Sequence, residues 1–153
     1  MDSEKLHFLK EEFVPLLQTL DPHQMGVWGV MKAQQMVEHF ADAVKVASGQ
    51  LELPSIDDQE RIAKNQGFLM TEIPFKENTK NPLLSETPPP LRHNSMDGSI
   101  NELKDDLKNF FQQNESDPNK TSNNSFFGSL DFDMNIRLLY KHAKHHLKQF
   151  GIE

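Results

Sequence analysis

Tyr140-Lys141-His142-Ala143-Lys144-His145-His146-Leu147-Lys148-Gln149-Phe150-Gly151-Ile152 is the stretch on which the fold and the candidate site both turn. Three of the seven histidines fall within five positions there. His142 and His146 are four apart, so on a helix their rings stand one turn apart on one face. Two imidazoles at that spacing can share a metal ion. Working back along the chain, Phe132, Ile136, Leu139, Ala143, Leu147 and Phe150 repeat at helical intervals and share one arc of the wheel. At roughly 100° per residue, His146 lies roughly 50° from the centre of that arc, His142 roughly 90° and His145 roughly 150°. The first two are expected to flank the buried stripe, and His145 to face solvent. Gln149 falls between the two inward histidines, where its amide could brace a ligand or substrate. The helix is expected from about Asp131 to Phe150, with Gly151 as its stop.

Three more segments carry the same periodicity. The first runs from about Ser3 to Leu20 with Ser3 as N-cap, and Pro15 inside it predicts a kink or an early end. The second runs from about Lys32 to Ser48, closed by Gly49. Met36, Phe40, Ala43 and Ala47 define its apolar arc, and His39 sits at the edge of that arc. The third runs from about Ile100 to Gln113, with Ser99 and Glu102 fitting a capping box and Leu103, Leu107, Phe110 and Phe111 forming its apolar face. Between the second and third lie about fifty residues of mixed signal. Ser55 to Gln66 could form a short helix ending at Gly67, and Phe68 to Ile73 reads equally as strand or helix. Pro82 and Pro88-Pro89-Pro90 impose extended or turn geometry. Asn114 to Ser125 reads as an exposed polar loop, and no hairpin signal is present. Four useful helices with few strand signals predict an all-α bundle, a single domain over 1–153.

Composition narrows the function. A net charge of −7, with basic residues scattered or gathered on the last helix, argues against nucleic acid and against an anionic membrane surface as partner. The absence of cysteine excludes disulfides and thiolate chemistry from the chain itself, so any metal is held by nitrogen and oxygen. The first residues lack a basic segment followed by an apolar run, no apolar stretch approaches membrane-spanning length, and the expectation is a soluble cytoplasmic protein.

His39 from one helix and the His142/His146 pair from another would make three nitrogen ligands with coordination positions left open, the pattern of a catalytic rather than a closed structural site. Such donors suit zinc and nickel first, then iron or manganese, rather than magnesium or calcium. The plain alternative is a basic last turn that complements the negative end of its helix. That suits Lys144, His145 and Lys148 but leaves two histidines beside the core arc unexplained. Trp28, between Gly26 and Gly29, reads either as a pocket wall or as an aromatic plug at a turn. Glu38, beside His39, reads as a general base or, more readily, as a solvated or helix-pairing charge. Asp42 reads as a partner to an imidazole or, more readily, as a surface charge, and the Asp105-Asp106 pair as solvated helix charges. His7 and His23 carry no role, and His93 has one only if a loop folds it over the site.

The run from Trp28 to His39, Trp-Gly-Val-Met-Lys-Ala-Gln-Gln-Met-Val-Glu-His, resembles the start of the second helix in DinB-like proteins. The ending from His142 resembles their last-helix motif of His, two residues, His-His, two residues, Gln. Together they look most similar to an uncharacterised subset of the DinB-like, bacillithiol S-transferase-like metalloenzyme superfamily. The resemblance implies a four-helix bundle with a long irregular connection between its second and third helices. It implies one divalent ion held by His39, His142 and His146. Relatives include thiol S-transferases and a mycothiol-dependent isomerase, so the implied activity is metal-dependent thiol transfer, or hydrolysis, on a small molecule. The implied partners are a small-molecule substrate such as a low-molecular-weight thiol, and a second copy of the chain, as relatives are often dimers. The alternative is a non-catalytic helical bundle serving protein interaction or ligand sensing.

Overall fold

Asp131 starts the last helix: its carboxylate accepts from the Met134 N–H, and the helix runs Phe132–Gln149. It ends in a Schellman motif, with Ile152 N–H donating to Leu147 O, Gly151 N–H to Lys148 O, and Gly151 at φ +78°. Ala33–Ala47 ends the same way, through Gln50 N–H to Lys45 O and Gly49 N–H to Val46 O, with Gly49 at φ +82°.

The computed structural model describes residues 2–77 and 87–152. In chain order α1 covers residues 3–17, α2 is Ala33–Ala47, α3 is Gln59–Leu69, α4 is Met96–Ser116 and α5 is Phe132–Gln149. A two-stranded antiparallel hairpin, β1 Ser122–Asn124 and β2 Gly128–Leu130, stands between α4 and α5. Pro82, one of the expected turn residues, lies outside the described residues.

The main core draws on α1, α2, α4 and α5. Phe13 and Phe40 meet edge to face with ring centres 4.8 Å apart, and Met36, Leu103, Ile136 and Ala143 are wholly buried around them. The apolar arc expected of α5 is buried from Ile136 to Phe150, with Phe132 half-buried at its start. A smaller cluster of Leu69, Phe127 and Leu130, joined by Phe75, Met134 and Leu138, attaches α3 and the hairpin to the outer side of α5.

Several expectations need correction. Pro15 is the exception, since the irregularity and early end expected there are present: a π-helical turn, Phe8–Glu12, precedes it, and the helix resumes only over Phe13–Leu17, short of Leu20. The wider turn gives the proline ring room where a regular turn would clash. α4 begins at Met96, capped by Ser95 accepting from Gly98 N–H, because Ser99 and Glu102 are engaged by partners far along the chain. α3 starts later than Ser55 and passes through Gly67 to Leu69, which settles Phe68 as helical. The expected 114–125 loop contains the end of α4 and the first hairpin strand. Its turn is built by Asn124, whose Oδ1 accepts from Phe126 and Phe127 N–H, and by Gly128 at φ +69°.

A polar seam joins α2 to α4. Lys45 reaches Glu102 at 2.6 Å and Asp106 at 2.5 Å, while Arg92 and His93 meet Glu102 at 3.0 Å and 2.8 Å. Asp106 is therefore buried in a pair, not solvated as its sequence suggests, and burial pushes its carboxyl up. Burial alone would raise Glu102 too. The hydrogen bonds from Lys45, Arg92 and His93 outweigh it and hold Glu102 down at about 2. A carboxyl lowered in the folded state contributes stability above its unfolded value of 4.5 and loses it as pH falls toward 2. Urea melts across this range are expected to show a flatter acid limb for Glu102→Gln than for wild type; parallel limbs would contradict the assignment.

Candidate metal centre

α2 and α5 pack so that the three rings meet. His39 Nε2 lies 3.3 Å from His142 Nε2, and His142 Nε2 lies 2.7 Å from His146 Nε2. One nitrogen from each of the three lies within 4.8 Å of the others, close enough to hold a metal ion. Among the described residues this is the group of side chains that satisfies that criterion. The i, i+4 spacing on α5 supplies two of the rings, and the burial of Phe40 turns its neighbour His39 toward them.

The donor set can be tested on its protons. Gln149 Nε2 donates to the carbonyl of Trp28 at 3.0 Å, which fixes the amide orientation, since a carbonyl only accepts. Gln149 Oε1 then faces His146 Nδ1 at 2.7 Å and must accept its proton. Neutral His146 therefore carries a lone pair on Nε2, the atom turned toward the other two rings. Burial pushes all three imidazoles down from their ordinary value, His142 and His146 strongly. The charges of His146 and His39 add to this at His142 and that of His39 at His146, while Asp42 opposes it at His39 and the Gln149 hydrogen bond at His146. Neutral imidazoles converging on one point are the protonation state a cation requires. A tetrahedral ion spaces nitrogen ligands about 3.3–3.4 Å apart. The His39–His142 separation matches that, and the α5 pair would part by about 0.6 Å. The residues fit a borderline divalent ion.

The surroundings differ from the wheel in one respect. His145 is half-buried, not solvated: its ring sits 5.4 Å from Trp28 and 6.0 Å from Phe75, centre to centre. The segment bearing Phe75 is held on the outer face of α5 by Lys141 Nζ, which donates to the carbonyls of Thr71 and Ile73. A wheel describes one helix and is blind to the loops that cover it. His145 nonetheless stays outside the three-histidine group, as expected.

Glu38 was the functional surprise. It is 4% exposed, and its carboxylate accepts from Arg92 N–H at 2.8 Å, His93 N–H at 3.2 Å and Ser99 Oγ–H at 2.7 Å. It latches the chain ahead of α4 against α2, one residue from His39. Asp42 keeps its surface role, paired with Arg92 at 3.2 Å. His93 is brought to Glu102 and not to the three-histidine group. No motif marks Glu38, whose partners come from more than fifty residues away.

Comparison with protein-family models, with curated proteins and with solved structures gives no match in any of the three. Among the described residues, no helix is long and apolar enough to cross a membrane.

Proposed function

We propose that the chain is a metal-dependent enzyme of DinB-like type, holding one divalent ion through His39, His142 and His146 and acting on a small molecule. The observation that carries this reading is the convergence of three imidazole nitrogens from α2 and α5 on one point. The main core built from α1, α2, α4 and α5 supports assigning those helices to a four-helix bundle, with α3 and the hairpin as additions on its outside. Zinc or nickel suits the all-nitrogen set best, with iron or manganese next.

Bound there, a divalent ion supplies a Lewis-acidic centre that lowers the pKa of a thiol or water reaching it. The chain's own residues do the rest. Gln149 holds the His146 ring in one tautomer. Phe40, with its ring centre 5.0 Å from that of His142, fixes the orientation of the second ring and excludes water behind it. Three protein ligands leave room for substrate. Thiol transfer to a small electrophile is the reaction class proposed, with hydrolysis of the same electrophile as the competing outcome.

The test is an assay of zinc- or nickel-loaded protein with a low-molecular-weight thiol and an activated aryl halide or ester. Thiol-dependent turnover that falls at least about a hundredfold in His142→Ala is expected. Turnover independent of thiol would replace transfer by hydrolysis. Equal rates in variant and wild type would refute the catalytic assignment. A loaded protein with no turnover would favour ligand sensing.

A further inference from the structure

The loop between α1 and α2 presents large apolar side chains to solvent. Val27 is 77% exposed, Val30 59% and Met25 51%. Core packing of these side chains therefore does not set the loop's position. A polar clasp does. Gln149 is 3% exposed and engages the loop twice: Val27 N–H donates to its backbone carbonyl at 2.7 Å, and its Nε2 donates to Trp28 O at 3.0 Å. The two glycines make the approach possible. A Cβ on Gly26 would stand 2.7 Å from Trp28 O and 2.9 Å from Gln149 Cγ. On Gly29, at φ +79°, it would stand 2.8 Å from Gln149 Nε2. The remaining end of the same amide accepts from His146 Nδ1.

We infer that Gln149 is a positioning residue that couples the His146 ligand to the 25–30 loop, so that metal loading sets the placement of the loop's exposed apolar face. The inference rests on the metal reading above. A cation on His146 Nε2 draws electron density from the ring and strengthens the Nδ1–H donor. The amide that receives this bond is polarised, and its N–H bond to Trp28 O tightens in turn. Reciprocally, the amide orients His146 and raises its basicity as a ligand.

Trp28 is the sole tryptophan, so its emission reports on the loop and on its ring contact with His145. The experiment titrates zinc into the chelator-stripped protein, following Trp28 emission and, separately, zinc binding by calorimetry. Wild type is expected to change emission in step with zinc binding. Gln149→Leu, which removes both amide bonds, is expected to bind zinc about 10–100-fold more weakly and to show no emission change at saturation. Gln149→Glu keeps an acceptor for Nδ1–H and loses the donor to Trp28, so it should recover affinity without recovering the emission change. That split separates positioning from general damage to the fold, which circular dichroism of both variants checks. Zinc binding to wild type without an emission change would overturn the inference alone. So would Gln149→Leu or Gln149→Glu retaining the wild-type emission change at saturation, or Gln149→Leu retaining wild-type affinity. Failure of wild type to bind zinc would overturn the metal reading and this inference together.

Discussion

Zinc added to the chelator-stripped protein is expected to raise its melting temperature substantially, and His142→Ala is expected to abolish the rise. An ion that binds the folded chain alone stabilises it by mass action, by about 4 kcal/mol at a free concentration a thousand times the dissociation constant. For a chain of this size that corresponds to about 8–16 °C. The physical source is the convergence of His39, His142 and His146 in the folded state only, since residues 39 and 142 are 103 positions apart in the chain. Without ion, the α2–α5 contact holds imidazoles whose charged form burial disfavours. His142→Ala removes the central ring of the three, the one within 3.3 Å of both others. A melting temperature that does not move with zinc, or that moves equally in the variant, would contradict the account.

The second large effect is expected at Glu38. Glu38→Ala leaves the Arg92 and His93 N–H groups and the Ser99 hydroxyl without their acceptor. At about 1 kcal/mol or more for each stranded donor, the loss is about 3 kcal/mol, or about 6–12 °C in melting temperature. Glu38→Gln keeps one acceptor oxygen and should recover part of it. Denaturant melts of the three proteins test this. A loss below about 1 kcal/mol for Glu38→Ala would show that water replaces the carboxylate freely and that the segment ahead of α4 is not latched. The effect is expected to be independent of zinc, which distinguishes it from loss of a ligand.

Much of the site was legible because it depends on local geometry. The His142/His146 pair and Gln149 lie within eight residues on one helix, and both neighbouring helix ends carry the glycines that a left-handed stop requires. The placement of His39 at the edge of an apolar arc was equally local. What sequence reasoning missed is tertiary. Ser99 and Glu102 look like a capping box, yet their side chains answer to Glu38 and Lys45 on another helix. Asp106 has the pattern of a solvated charge until Lys45 is placed beside it. His145 faces outward from its own helix, where Trp28 and Phe75 arrive from two separate segments to cover it. The hairpin is built on Ser122-Asn123-Asn124, a run without β-branched or aromatic residues, and its Asn124 turn and Gly128 outweigh that poor strand propensity.

The central claim is that one ion is chelated by imidazoles from α2 and α5. The most direct measurement is metal content per chain, by mass spectrometry of protein purified without chelator and then equilibrated with zinc. Wild type and His145→Ala should each retain one ion per chain, while His39→Ala, His142→Ala and His146→Ala should each retain little. Equal metal in all five proteins, or none in wild type, would contradict the claim.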